Sequence, residues 1–130
     1  MIADKHSQGG NLSPFSKILQ EMNQEGGFSR SVLATSEGLP IASCPMRPDQ
    51  ELASAMIAML QQVGVETQDR LDLAAVDEVT IRTEDRMHLV CRRIQSGSDW
   101  ICLCALVPPG AYYRRATNKA VRRISEVIDG

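Results

Sequence analysis

The sequence predicts a three-layer α/β (α+β) fold, a five-stranded antiparallel sheet sandwiched between helices in the order α-β-β-α-β-β-β-α. Three observations carry this. Residues 31–43 form a hairpin around Glu37-Gly38, residues 52–63 form a helix apolar on more than one face, and residues 75–107 read as three strands. The last of these, Trp100 to Val107, is apolar at every position. Such a strand must be covered on both sides, which places it in the sheet centre with helices above and below.

Each element has its own warrant. Residues 1–12 are polar and Gly-containing, and are expected to be a flexible N-terminal segment ahead of a single domain over 13–130. Ser13-Pro14 reads as an N-cap followed by Pro at the first helical position. Phe15, Ile18, Leu19 and Met22 then follow at helical spacing, and Gly26-Gly27 ends the helix. Val32 to Thr35 has strand character, Gly38 permits the positive φ of a tight turn, and Leu39 to Ala42 returns. Pro40 cannot donate to a ladder, so it opens the returning strand or marks an edge.

Asp49 is the expected N-cap of the second helix, with Glu51 in its first turn. Leu52, Met56, Leu60 and Val63 make one stripe, Ala55 and Met59 widen it, and Ala53, Ile57 and Ala58 fill much of the remainder. One buried face needs one stripe, so this width implies either a second contact with another molecule or plain core. Gly64 marks either fraying or close packing. In the three-strand segment, Val76, Val79 and Ile81 open the first strand, and Glu84-Asp85 turns the chain. Met87 to Ile94 is the second strand, with Met87, Leu89 and Cys91 on one face. After a turn at 95–99, Trp100, Cys102, Cys104 and Leu106 share one face of the third. The last helix, from about Tyr112 to Ile128, buries Ala116, Ala120, Val121, Ile124, Val127 and Ile128.

Bulk properties narrow the function. The net charge of −2 gives no drive toward nucleic acid, and an aromatic content of 4% does not support a base-stacking surface. No apolar run is long enough to insert in a membrane, and the first ten residues lack the apolar core of a secretory signal. A cytoplasmic protein with four reduced cysteines is expected. Cys102 and Cys104 lie two apart on a strand with Cys91 on its neighbour, a spacing that suits buried small side chains better than a zinc site. His6 and His88 stand beside no evident nucleophile or carboxylate pair, and Glu37-Gly38 is a turn rather than a phosphate cradle. No catalytic, cofactor-binding or metal residue is assigned.

Leu33-Ala-Thr-Ser-Glu-Gly-Leu-Pro-Ile-Ala-Ser43, the Ala-rich helix Leu52 to Val63, and Trp100 to Pro108 with the helix that follows together resemble the roadblock family, the dynein-light-chain type of small regulatory domain. The likeness extends over all but the N-terminal dozen residues, and is that of a prokaryotic small-GTPase regulator-like member. It implies a non-enzymatic homodimer, without cofactor, that binds and regulates a Ras-like small GTPase and at most stimulates that partner's hydrolysis. The alternative is a constitutive structural adaptor in a larger complex, insensitive to nucleotide. A sensor or enzyme would need convergent polar groups that the chain does not offer.

The resemblance also implies dimerisation through the second helix and the first strand of the meander. The interface is assigned to Ala55, Met56, Met59, Val63, Glu78, Thr80 and Arg82. A dyad at Thr80 would set Glu78 opposite Arg82 of the partner subunit, a pairing that contributes about 0.2–1 kcal/mol and favours register more than affinity. Partner binding is assigned to Met59 and Gln62, and to the basic side of the last helix at Arg115, Lys119 and Arg122. That basic side is otherwise a solvated face.

Overall fold

The computed structural model describes residues 13–130, so the expected flexible segment 1–12, His6 and the secretory-signal reading lie outside the described residues. The elements are α1 (Pro14–Gly26), β1 (Arg30–Thr35), β2 (Pro40–Cys44), α2 (Gln50–Arg70), β3 (Glu78–Arg82), β4 (His88–Ser96), β5 (Asp99–Val107) and α3 (Arg114–Asp129). They run in the expected order. All strand pairs are antiparallel, and the sheet order β2-β1-β5-β4-β3 puts the wholly apolar β5 in the middle.

Capping chemistry explains the ends of α1. The Ser13 hydroxyl accepts the Ser16 N–H at 3.1 Å, Pro14 fills the first turn, and Gly27 leaves the helix in the left-handed conformation at φ 72°. Pro40 both opens β2 and lies on a sheet edge, where its missing donor costs no ladder bond. In the β1–β2 turn, Gly38 has φ 91°, and a Cβ there would lie 3.1 Å from Ala55 Cα. Glycine is therefore required twice over, for the turn and for the close approach of α2.

The alternation along β4 and β5 sorts the side chains as expected. Toward α1 and α3 lie Val90, Ile94, Leu103, Ala105 and Val107, packed with Leu33, Ile18, Leu19, Met22, Ala116, Ala120 and Ile124. Toward α2 lie Cys91, Cys102 and Cys104 with Val32, Ala34 and Ile57, flanked by Leu60, Leu89 and Trp100. The α1/α3 side holds the larger core.

The structure departs from expectation at several points. α2 continues past Val63 to Arg70, because Gly64 is a close-packing position: a Cβ there would lie 3.0 Å from Val79 Cγ2. Asp49 stands at the N-terminus of α2 but makes no side-chain cap; its carboxylate instead receives both terminal nitrogens of Arg30, at 2.6 and 3.2 Å. Val76 lies outside β3, since its N–H is taken by the Gln68 side chain at 2.7 Å. α3 starts at Arg114 rather than Tyr112, and Val127 is exposed while Thr117 is buried. The Thr117 hydroxyl donates to the Tyr113 carbonyl at 3.0 Å and accepts from buried Arg92 at 3.1 Å. The expectation of four free thiols is corrected as well. Cys91 and Cys104 are register partners with Cα atoms 4.2 Å apart, and their sulfurs are bonded; Cys44 and Cys102 are free. Burial pushes the Cys102 thiol up to about 12, so it is an inert thiol of the core.

Ile124, fully buried among α1, α3 and the sheet, anchors the larger core. Replacement by Ala is expected to cost about 2–5 kcal/mol, read as a lower midpoint in chemical denaturation with unchanged slope.

Candidate protein–protein interface

α2 is turned with its greasier side outward. At 3.6 residues per turn, Ser54, Ile57, Ala58, Gln61 and Gly64 fall on the side that meets the sheet, and all are buried. Half a turn away, Leu52, Met56, Met59 and Val63 follow at helical spacing and are 64%, 54%, 65% and 61% exposed. Buried Ser54 Oγ and Gln61 Nε2 find no hydrogen-bond partner among the described residues. Each such orphan costs about 1–3 kcal/mol relative to a satisfied group.

Beside this stripe runs a groove of about 410 Å³. One wall is Ala53, Met56, Met59, Leu60 and Val63 of α2; the other is a row across the sheet, Arg30, Leu106, Leu89 and Ile81, which are successive register partners. Val32 and Cys104 lie on its floor. The row is only partly covered: Arg30, Leu89 and Leu106 are half-buried and Ile81 is exposed. The groove ends at β3, an edge strand with no neighbour on its far side among the described residues. The opposite edge is less open: β2 begins with Pro40, and the Asn23 side chain donates to the Cys44 carbonyl at 3.0 Å.

The expected interface residues divide between the two faces of the sheet. Met56, Met59 and Val63 line the groove. Ala55 lies on the other flank of α2, against the β1–β2 turn. Glu78, Thr80 and Arg82 alternate on β3 with Val79 and Ile81, and point to the α3 side. There the Glu78 carboxylate accepts from Thr80 at 2.6 Å and Tyr113 at 2.7 Å, with Arg114 at 3.9 Å. Burial alone would raise the Glu78 carboxyl, but the two hydroxyls and the charges of Arg114 and Arg92 outweigh it and hold the group below its ordinary value. Arg82 is exposed.

The partner-binding set is divided as well. Met59 and Gln62 are exposed on α2, whereas Arg115, Lys119 and Arg122 are exposed on α3, across the sheet. Lys119 is paired with Glu25 at 3.4 Å, and neighbouring Arg123 with Glu21, so α1 neutralises one flank of the basic stripe. Arg115 and Arg122 make no ion pair among the described residues. Sequence reasoning missed Arg30, Ile81, Leu89 and Leu106 as groove residues. The alternation that set Leu89 and Leu106 with the cysteines was the available signal; which row α2 leaves half-covered was not. No three His, Cys, Asp or Glu side chains converge as a metal site, and no helix is long and apolar enough to cross a membrane, among the described residues.

With this geometry in view, residues 15–96 match the model of the Roadblock/LC7 domain family. The chain belongs to that family. Its fold is similar to the Roadblock/LC7 domain from Streptomyces avermitilis, with a TM-score of 0.73 and 19% identity over 86% of this chain and 92% of that one. It is also similar to MglB of Myxococcus xanthus, at 0.78 and 11% over 92% and 98%. The gliding protein MglB of Thermus thermophilus follows, at 0.70 and 18% over 89% of each chain. No curated protein matches this Roadblock/LC7 chain by sequence.

Arg30 ties the groove rim to the start of α2 in this Roadblock/LC7 domain. Its hydrogen bonds are the main reason the Asp49 carboxyl is held below the ordinary aspartate value of 3.8. A lowered folded-state pKa means that the pair stabilises the fold above the ordinary value and loses that effect as pH falls through it and below. Asp49→Asn should therefore lower the melting temperature near neutral pH and narrow its gap to the parent as the pH drops below 3.8, measured by thermal scans across pH.

Proposed function

We propose that this protein is a non-enzymatic homodimeric platform that binds a Ras-like small GTPase and tunes its nucleotide cycle. The observation that carries the reading is the outward stripe Leu52, Met56, Met59 and Val63 beside the apolar groove. A contiguous exposed apolar surface of this kind marks an interaction site. A second copy suits it because ridge and groove adjoin on one face. A two-fold axis then sets each protomer's stripe against the other's groove, the self-complementary arrangement of an isologous dimer. The free edge of β3 lies at the end of the groove, so pairing of the two edges extends the same contact. In that pairing Glu78, Thr80 and Arg82 fix register, with Glu78 facing Arg82 of the partner subunit, while Ala55 borders the α2 contact.

Family membership supports the GTPase part of the reading, as does the likeness in fold to two proteins named MglB. A regulator must favour one nucleotide state of its partner, which requires contact with a surface that differs between the states. Paired α2 helices would offer Gln62 for this, while Met59 is taken up by the contact between the copies. Arg115, Lys119 and Arg122 on α3 would meet an acidic surface.

Two experiments test these parts separately. Analytical ultracentrifugation should give twice the chain mass, and Met59→Glu, which puts a charge in the apolar contact, should give a single copy; a parent that stays single at high concentration removes the dimer. Capture of Ras-like GTPases loaded with GTP or GDP should show a clear preference, weakened by Arg115, Lys119 and Arg122 all changed to Glu. Equal capture in both states would make the protein a constitutive adaptor instead.

A further inference from the structure

We infer that docking of α2 onto the sheet and association of two copies are one linked equilibrium: α2 packs firmly only when a second copy covers its outer side. This rests on the dimer proposed above. The reason lies in how α2 distributes its side chains. Of the residues it buries against the sheet, only Ile57 and Ala58 are apolar side chains; Ser54 and Gln61 bring orphaned polar atoms, and Gly64 brings none. Leu52, Met56, Met59 and Val63 are each more than half exposed, while Leu60 and Ala53 pack only in part against the inner cluster. The opposite layer is built the usual way, with Leu19, Met22 and Ile124 driven into the sheet.

The attachments that α2 does make lie toward its ends. Asp49 holds Arg30 at the start, and Gln68 accepts the Val76 N–H and an Arg93 N–H near the finish, at 2.7 and 3.2 Å. Between them the helix is held down by Ile57, Ala58 and the half-buried Leu60 and Ala53, a smaller apolar set than the one α1 and α3 bury on the opposite face. Burial of Leu52, Met56, Met59 and Val63 by a second copy supplies what the inner side lacks, so association and local order reinforce each other.

The chain carries its own reporter. Trp100, its single tryptophan, packs against the cluster around Ile57, beneath α2. The test dilutes the full-length protein while following mass by ultracentrifugation, Trp100 emission, and amide hydrogen exchange by mass spectrometry. As the mass halves, peptides from 50–70 should exchange at least roughly tenfold faster and Trp100 emission should move to the red, while peptides carrying Leu19, Leu103 and Ile124 keep their protection. Met59→Glu should show the loosened α2 at every concentration. Adding Gln61→Leu, which replaces the orphaned amide with an apolar side chain, should restore α2 protection in the single-copy variant. If the mass halves while α2 exchange and Trp100 emission hold steady, the linkage is wrong and the dimer stands. If the mass stays that of one chain throughout, the dimer is wrong and the linkage goes with it.

Discussion

The central strand dictates the rest of the architecture. From Trp100 to Val107, β5 carries an apolar side chain at every position, so water must be kept from both faces of the sheet at once. One face is closed by α1 and α3 together, the other by α2 alone. Two helices cover a five-stranded sheet well; one helix leaves a row half-covered. That row is Arg30, Leu106, Leu89 and Ile81, and it runs toward β3, an edge strand among the described residues. The groove is thus a consequence of covering a two-sided apolar strand with an odd number of helices.

Much of this was legible in the residues. Period-two alternation assigned the faces of β4 and β5, and the apolar run placed β5 in the centre, because those inferences need only side-chain direction along one strand. The ends of α1 were legible because Ser13, Pro14 and Gly27 act on the backbone locally. The length of α2 was hidden. Residues 66–70 are polar and Gly64 argues for an ending, yet Gly64 is kept for its fit against Val79. The burial of Arg92 was also hidden, since it depends on Thr117 and Asn118 arriving from α3 at 3.1 and 2.8 Å.

The cysteine pair lies between these extremes. The β4–β5 turn has two residues, Gly97 and Ser98, between the partners Ser96 and Asp99. Counting back five positions on each strand brings Cys91 opposite Cys104. Register therefore contained the pairing, once the turn was known to be that short. The candidate interface divides in the same way. The excess of apolar side chains on residues 52–63 could be counted, but only the angle of α2 over the sheet decides that Leu52 and Met59 are the surplus and Ile57 is not.

The two exposed sets follow different physics. On α3, Arg115 and Arg122 are solvated charges whose attraction for a partner acts over about 10 Å and fades with salt. On α2, the stripe and groove act only on contact, through area removed from water, and are nearly indifferent to salt. A face of the second kind suits a lasting partner, and one of the first kind suits a partner that comes and goes. The sheet separates them, so occupying one does not obstruct the other. On the proposed reading, a constant subunit contact through α2 and a reversible one through α3 coexist in a chain of 130 residues because the central strand required a helical layer on each side.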